Sequence, residues 1–142
     1  FQDAVHGPIS YDLVSLLRDC YIRWPQTVVE QRVEGFRCKL LDQSAVQGQV
    51  VTLPDSATFL RWFDLMGLQR HLKVLGIFSR LSLRDGKARY LDDLPLVLRY
   101  VLEVAQKYPE ADDFYRWFIE RLEPKIIEQS WYQPWQSAGE RL

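Results

Sequence analysis

One short stretch near the middle of the chain contains several polar side chains that could bind a ligand. Gln69, Arg70, His71 and Lys73 fall within about one turn at the start of a predicted helix. Hydrogen-bond donors at this density would suit a ligand rich in hydroxyl groups. Polar residues at a helix start are also commonly solvated without a further role, so two interpretations stay open: a hydroxyl-binding turn or a solvent-facing one.

A second group of candidate binding residues lies near the beginning of the chain. Arg18 carries a planar guanidinium that can bind a carboxylate with two parallel hydrogen bonds, so it could recognise an acidic ligand. The alternative is a surface ion pair with Asp19 or Glu30, and Asp19 is itself a weaker candidate for ligand binding. Trp24, beside Arg23, could stack on a sugar ring, although aromatic residues at helical spacing more often belong to a core.

The composition of the whole chain is that of one globular domain. It has 142 residues, of which 47% are hydrophobic, and a formal net charge of -1, which gives no electrostatic reason to propose nucleic acid or an anionic membrane as a partner. Cys20 and Cys38 lack metal-ligand spacing and are expected as free thiols. Basic residues such as Lys39, Arg99 and Lys107 are predicted to lie on solvated faces.

Hydropathy and the composition of the N-terminal residues indicate a cellular location. No apolar stretch reaches the roughly 18 residues that a membrane-spanning helix needs. The first residues show neither the basic region nor the apolar core of a signal peptide. We therefore expect a cytoplasmic protein that makes no membrane contact.

Apolar residues recur with helical periodicity in six segments, and no strand pattern of convincing length is present. The expected fold is all-α, with about six helices. Gly67 is predicted to break or bend the chain between the third helix and the fourth. The predicted helices cover approximately residues 10–24, 25–43, 55–66, 68–81, 93–105 and 110–122.

The opening stretch FQDAVHGPISYDLVSLL, residues 1–17, resembles the segment just after the metal-binding aspartate in the aminoglycoside phosphotransferase and choline kinase group. The shared pattern is an Asp, an aromatic residue, a polar and a small residue, a Gly-Pro turn, and a Tyr-Asp-Leu helix start. In that pattern the metal-binding aspartate would stand one residue before Phe1.

A second stretch narrows the resemblance. LQRHLKVLGIFSRL at residues 68–81, followed by DGK at 85–87 and YLDDLP at 90–95, looks like the bacterial anomeric sugar kinases that phosphorylate N-acetylmuramate and N-acetylglucosamine in cell-wall recycling. The two motifs stand in the order that these kinases have. The resemblance runs through nearly the whole chain.

The resemblance implies that this chain is one part of a longer enzyme, in which different parts bind the acceptor and the nucleotide. Residues 1–142 would form the C-terminal helical lobe of a protein-kinase-like (aminoglycoside phosphotransferase) fold, which binds the amino-sugar acceptor. The N-terminal nucleotide lobe, its ATP and Mg²⁺, and a His-x-Asp-x-x-x-x-Asn catalytic loop would be supplied from outside the chain, whose only histidines are His6 and His71. The chain alone would then bind no metal or cofactor and would be inactive.

The resemblance also assigns roles to individual residues. Asp12 would brace the catalytic loop, with a helix-dipole carboxylate as the alternative. Asp3 would face the acceptor, unless it is a surface-loop residue. Arg18 would approach the lactyl carboxylate of muramate, and the 69–71 stretch would border the acceptor site, with Asp19 and Trp24 as further substrate-binding candidates.

Two other functions remain compatible with the sequence. An all-α, aromatic-rich and nearly neutral chain could be a non-catalytic helical interaction domain whose amphipathic faces bind a partner helix. A pseudokinase relative is the other, because the residues that would catalyse the reaction lie outside the chain.

Overall fold

Six α-helices form the framework of the part of the chain that the computed structural model describes, residues 7–46 and 52–140. Short 3-10 turns lie at Ala88–Leu91, Pro109–Ala111 and Trp135–Ser137, and these ranges contain no strand. The predicted all-α class with about six helices is confirmed. The helices are α1 (Tyr11–Leu17), α2 (Gln26–Val46), α3 (Ser56–Asp85), α4 (Leu94–Lys107), α5 (Asp112–Trp117) and α6 (Glu123–Ile127).

The long helix α3 packs against α1, α2 and α4 and so connects the two halves of the core. The Asp55 side chain caps its start by accepting from the backbone N–H of Thr58, and Gly86 closes its end with a φ of 66°. Phe59 and Phe63, on the first half of α3, are fully buried against α1 and α2. Burial of each phenylalanine stabilises the fold by roughly 2 kcal/mol.

The predicted break at Gly67 is wrong, because α3 runs through this residue without interruption. A glycine inside a helix costs about 1 kcal/mol relative to alanine, but Phe63 and His71, one turn to either side, are fully buried and hold the helix in place. The missing side chain makes room for α1. A Cβ at this position would lie 3.3 Å from Nη1 of Arg18.

The first helix ends earlier than the sequence predicts, at Leu17 instead of near Trp24. Arg18 leaves the helical region with φ −128° and ψ 55°, although its N–H still donates to the Val14 carbonyl. Its own carbonyl is bonded by α3 instead of by the next turn of α1, since Nε2 of His71 lies 2.9 Å from it. The residues that follow therefore form a loop, residues 18–25, across α3 and α4.

The segment predicted as one helix over 110–122 is broken into three parts. A 3-10 turn precedes α5, and a π turn at Phe118–Leu122 joins α5 to α6. Pro124 lies in the first turn of α6 and cannot donate the N–H that a continuous helix would need at this position. The buried Phe118 keeps the wider turn packed against the core.

The fourth helix is the most deeply buried element. Eleven of its fourteen residues are buried, and they include Arg99, for which the prediction of a solvated face is wrong. Arg99 donates to Glu103 and to the carbonyl of Ala138, so it attaches the C-terminal segment to α4. Across residues 7–46 and 52–140, no helix combines the length and the hydropathy that spanning a bilayer requires.

Candidate functional site

A buried carboxylate stands where the end of α1, the middle of α3 and the end of α4 meet. Asp64 has no exposed surface. Its Oδ1 accepts from Nη2 of Arg18 at 2.5 Å, and its Oδ2 accepts from Nζ of Lys107 at 2.7 Å and from the hydroxyl of Tyr108 at 2.6 Å. An isolated buried carboxylate would be strongly destabilising, and these three donors compensate for the lost water. We call these four residues the Asp64 cluster.

The Asp64 cluster carries a formal excess of one positive charge, since Arg18 and Lys107 share one carboxylate. Burial lowers the pKa of Lys107, but the hydrogen bond and the charge of Asp64 outweigh burial, so that this pKa lies above its ordinary value. Burial, and then the hydrogen bond to Asp64, raises the pKa of Tyr108. At neutral pH the ammonium and the phenol therefore keep their protons and act as donors.

An open cleft of about 370 Å³ lies over the Asp64 cluster. Its volume falls within the roughly 300–1000 Å³ that is usual for small-molecule sites. Arg23 forms a bidentate ion pair with Glu103 on one wall, with N–O distances of 3.0 and 2.8 Å. On another wall, the exposed Glu30 accepts from Nε2 of Gln26. The lining residues are Arg18, Arg23, Gln26, Glu30, Asp64, Glu103, Val104 and Lys107.

Two stacked rings hold the loop that forms one side of this cleft. The ring of His71 lies 4.7 Å from that of Tyr100, with only 15° between their planes. Nε2 of His71 is bonded to the Arg18 carbonyl, while the Tyr100 hydroxyl donates to the Ile22 carbonyl at 2.9 Å. The two rings therefore fix both ends of the segment 18–22 against the helices.

His71 is a neutral structural group in this arrangement. Its side chain is 1% exposed. Burial lowers the pKa of His71 to about 4. Because a carbonyl only accepts, Nε2 carries the proton and Nδ1 is the unprotonated nitrogen, which has no hydrogen-bond partner among the described residues. His71 does not line the cleft, and its predicted contact with a substrate stays a prediction.

Arg18 lies in the floor of the cleft, and its partner differs from both predicted ones. It pairs with Asp64, not with Asp19 or Glu30, because its side chain is turned under α3 and is only 5% exposed. Its guanidinium also lies 4.8 Å from the centre of the Phe63 ring. The prediction that Arg18 binds a substrate carboxylate is not tested by this pairing, but one side of its fork is already occupied.

The polar stretch 69–71 does not form one binding surface, since successive residues of a helix point in different directions. Gln69 is exposed and His71 is buried. Arg70 lies between them in exposure and meets the start of α1, where Nη1 donates to the Tyr11 hydroxyl at 3.1 Å. The substrate-binding roles predicted for Gln69 and Arg70 stay predictions.

The remaining predicted residues lie apart from one another. Asp12 is exposed in the first turn of α1, and Asp3 lies outside the described residues. Asp19 is half-buried and accepts from the backbone N–H of Tyr21, which stabilises the loop. Trp24 is 46% exposed at the end of this loop but does not line the cleft. The roles predicted for these residues stay predictions.

Sequence reasoning missed Asp64, the residue on which the cleft is centred. Its partners Arg18, Lys107 and Tyr108 are separated from it by 46, 43 and 44 positions. One signal was available: Asp64 and His71 stand on the same helical face as Gly67, three and four positions to either side. Two polar residues on the helical face that also carries Phe63 and Gly67 indicate a buried polar contact.

The sequence is similar over most of its length to three proteins named N-acetylmuramate/N-acetylglucosamine kinase. It is 42% identical over 129 residues to the one from Neisseria meningitidis serogroup B, 47% over 110 residues to the one from Pseudomonas putida, and 43% over 110 residues to the one from Pseudomonas aeruginosa. These matches cover 90%, 78% and 78% of this chain. The chain is therefore related in sequence to kinases.

The same matches cover only 37%, 31% and 31% of the relatives, so the chain spans about a third of the length of the curated relatives it matches. No protein-family profile matches the chain. No solved structure matches it either. The resemblance to amino-sugar kinases is confirmed by the named relatives, whereas the wider assignment to the aminoglycoside phosphotransferase and choline kinase group stays a prediction.

Proposed function

We propose that this chain is the acceptor-binding part of an ATP-dependent kinase that phosphorylates N-acetylmuramate and N-acetylglucosamine. The observation that carries the proposal is the 42–47% identity to three kinases named for these two sugars, over at least 78% of the chain. The relatives are much longer, so the activity belongs to a longer polypeptide that contains this segment.

The cleft over the Asp64 cluster has the chemistry that an amino-sugar site requires. Glu30 and Glu103 offer oxygens that accept from sugar hydroxyls, and Gln26 offers a donor for hydroxyl and acetamido oxygens. The floor is built on rigid helices and a loop that is fixed at both ends, so the polar groups are already positioned before a ligand binds.

The groups that transfer the phosphoryl group would come from outside the described residues. Phosphoryl transfer needs a nucleotide site, a carboxylate-bound Mg²⁺ and an aspartate near the acceptor hydroxyl. Within residues 7–46 and 52–140, no group of three or more His, Cys, Asp or Glu side chains is placed to hold a metal ion. From the resemblance to kinases, we assign ATP and Mg²⁺ to the remainder of the enzyme, and we expect the chain alone to be inactive.

The proposal is tested with the full-length polypeptide that contains this chain. It would be incubated with ATP and Mg²⁺ and with N-acetylmuramate, N-acetylglucosamine, an aminoglycoside or choline, and ADP release would be measured. Turnover of the two amino sugars, with little or none of the other acceptors, is the expected result. A purified, folded enzyme that turns over neither sugar would refute the proposal.

A further inference from the structure

We propose that the ammonium group of Lys107 is the specificity-determining cation of the cleft, which binds the carboxylate that N-acetylmuramate carries and N-acetylglucosamine lacks. The inference rests on the proposed function and assigns the recognition of the acidic substituent to one residue. Two sugars that differ by an ionised lactyl ether need a site that accepts the charge without requiring it.

Arg18, the residue that the sequence favours for this role, is poorly placed to fulfil it. Its Nη2 is committed to Asp64 at 2.5 Å, and its Nη1 is buried and lies 3.3 Å from the position that a Cβ on Gly67 would occupy. Nη1 has no hydrogen-bond partner among the described residues but is buried, so a carboxylate in the cleft cannot form with both ends of the fork the paired hydrogen bonds by which arginine usually binds it.

Arg23 is neutralised by its own partner. Both of its terminal nitrogens bind the two oxygens of Glu103, which is also bonded by Arg99. An incoming carboxylate would have to displace Glu103 from a bidentate pair, leaving that carboxylate with one cation fewer. Arg23 is therefore suited to shape the wall of the cleft and not to bind an anion.

Lys107 differs from both arginines. Its ammonium has three N–H donors, one of which is directed at Oδ2 of Asp64, and its side chain is 44% exposed at the cleft. Because Arg18 already neutralises Asp64, the ammonium supplies the uncompensated positive charge of the Asp64 cluster. A carboxylate in the cleft would accept one of the remaining N–H donors and balance that charge.

Glu30 lines the same cleft as Lys107 and would allow an uncharged sugar to be accepted as well. It is exposed on α2 and lines the same cavity. Its negative charge disfavours an anionic ligand, and its oxygens can accept hydrogen bonds from sugar hydroxyls. The balance between Lys107 and Glu30 would then set the preference between the acidic sugar and the neutral one.

The test is steady-state kinetics of the full-length enzyme with both sugars, for the wild type and four variants. Lys107→Met should raise the KM for N-acetylmuramate about tenfold or more, since a charge-assisted hydrogen bond is lost. It should leave the KM for N-acetylglucosamine nearly unchanged, and Lys107→Arg should restore most of the loss. Lys39→Met, at an exposed position of α2 outside the cleft lining, is the matched control and should change neither value.

Glu30→Gln provides a measurement in the opposite direction that leaves the buried Asp64 cluster intact. It should lower the KM for N-acetylmuramate about two- to fivefold, a size typical of one exposed charge. This variant keeps the inference testable if Lys107→Met fails to fold.

Three outcomes are distinguishable. Selective effects on N-acetylmuramate, of opposite sign at the two positions, support the inference. Equal effects on both sugars, in an enzyme that turns both over, overturn the role of Lys107 and leave the proposed function standing. Absence of turnover by the wild type overturns the proposed function and with it the inference.

Discussion

Acid should destabilise this fold through His71 as the pH falls from 6.5 to about 4. Its pKa is about 4 in the folded chain, because burial disfavours the imidazolium, against an ordinary value of 6.5. Between pH 6.5 and about 4, the imidazole of His71 is therefore mostly protonated in the unfolded chain and mostly unprotonated in the folded chain. Stability from this residue is fully present above pH 6.5 and falls as the pH drops through that window.

The size of the effect follows from the two pKa values. A difference from 6.5 to about 4 corresponds to a maximum loss of about 3 kcal/mol, at about 1.4 kcal/mol for each pKa unit. Between pH 7 and pH 5 the expected loss is about 2 kcal/mol, since the folded chain is still almost unprotonated at pH 5. A loss of this size is a large fraction of the free energy of unfolding of a typical domain, about 5–15 kcal/mol.

Urea unfolding between pH 7.5 and 5 measures this loss. Both proteins compared carry His6→Asn, so that position 71 is the only one at which a histidine can be present. The comparison is with His71→Phe, which keeps a ring stacked against Tyr100 but has no proton to gain. His71→Phe should be less stable at pH 7.5, where it lacks the hydrogen bond to Arg18, and should lose much less stability on acidification. The same pH dependence in both proteins would refute the assignment of a buried neutral imidazole.

Two further predictions concern the floor of the cleft, and thermal or urea unfolding checks both. Gly76→Ala, at an exposed position of α3 with open space around it, should stabilise the fold by up to about 1 kcal/mol. Gly67→Ala should lose most or all of this gain, because its Cβ would lie 3.3 Å from Nη1 of Arg18, which must shift to make room. Equal effects of the two substitutions would contradict the close approach at Gly67. Asp64→Asn should cost about 3–5 kcal/mol, because it leaves a buried guanidinium without its counter-charge, while Asp42→Asn, exposed on α2, should change stability little. A cost below about 1 kcal/mol at Asp64 would contradict the buried ion pair.

Local patterns predicted most of the helices correctly, because amphipathic periodicity and capping residues are properties of short segments. They failed at Gly67 and at the end of α1, where tertiary contacts decide the outcome. Gly67 stays helical because the residues around it are packed, and α1 stops because His71, 53 positions away, bonds the Arg18 carbonyl. Neither the packing around Gly67 nor the bond from His71 to the Arg18 carbonyl can be predicted from the residues that are adjacent in sequence.

The candidate site was predictable only in part for the same reason. Arg18 was identified from its type and from the resemblance to a kinase group, and it does lie in the floor of the cleft. Its partner Asp64 stands in an apolar stripe, where a lone carboxylate gives no indication of the cations that compensate for its burial. Lys107 was expected on a solvated face, and it is partly exposed, but its ammonium also binds Asp64.

Steric blockage of the cleft tests most directly whether this segment binds the sugar acceptor. Gln26 lines the cleft from the exposed start of α2, so Gln26→Trp should fill the cavity without disturbing a buried group. In the full-length enzyme, we expect ATP-dependent phosphorylation of N-acetylmuramate and N-acetylglucosamine by the wild type, and a large rise in KM for both sugars in the variant. An unchanged KM for both sugars in a folded Gln26→Trp enzyme would show that the acceptor binds elsewhere.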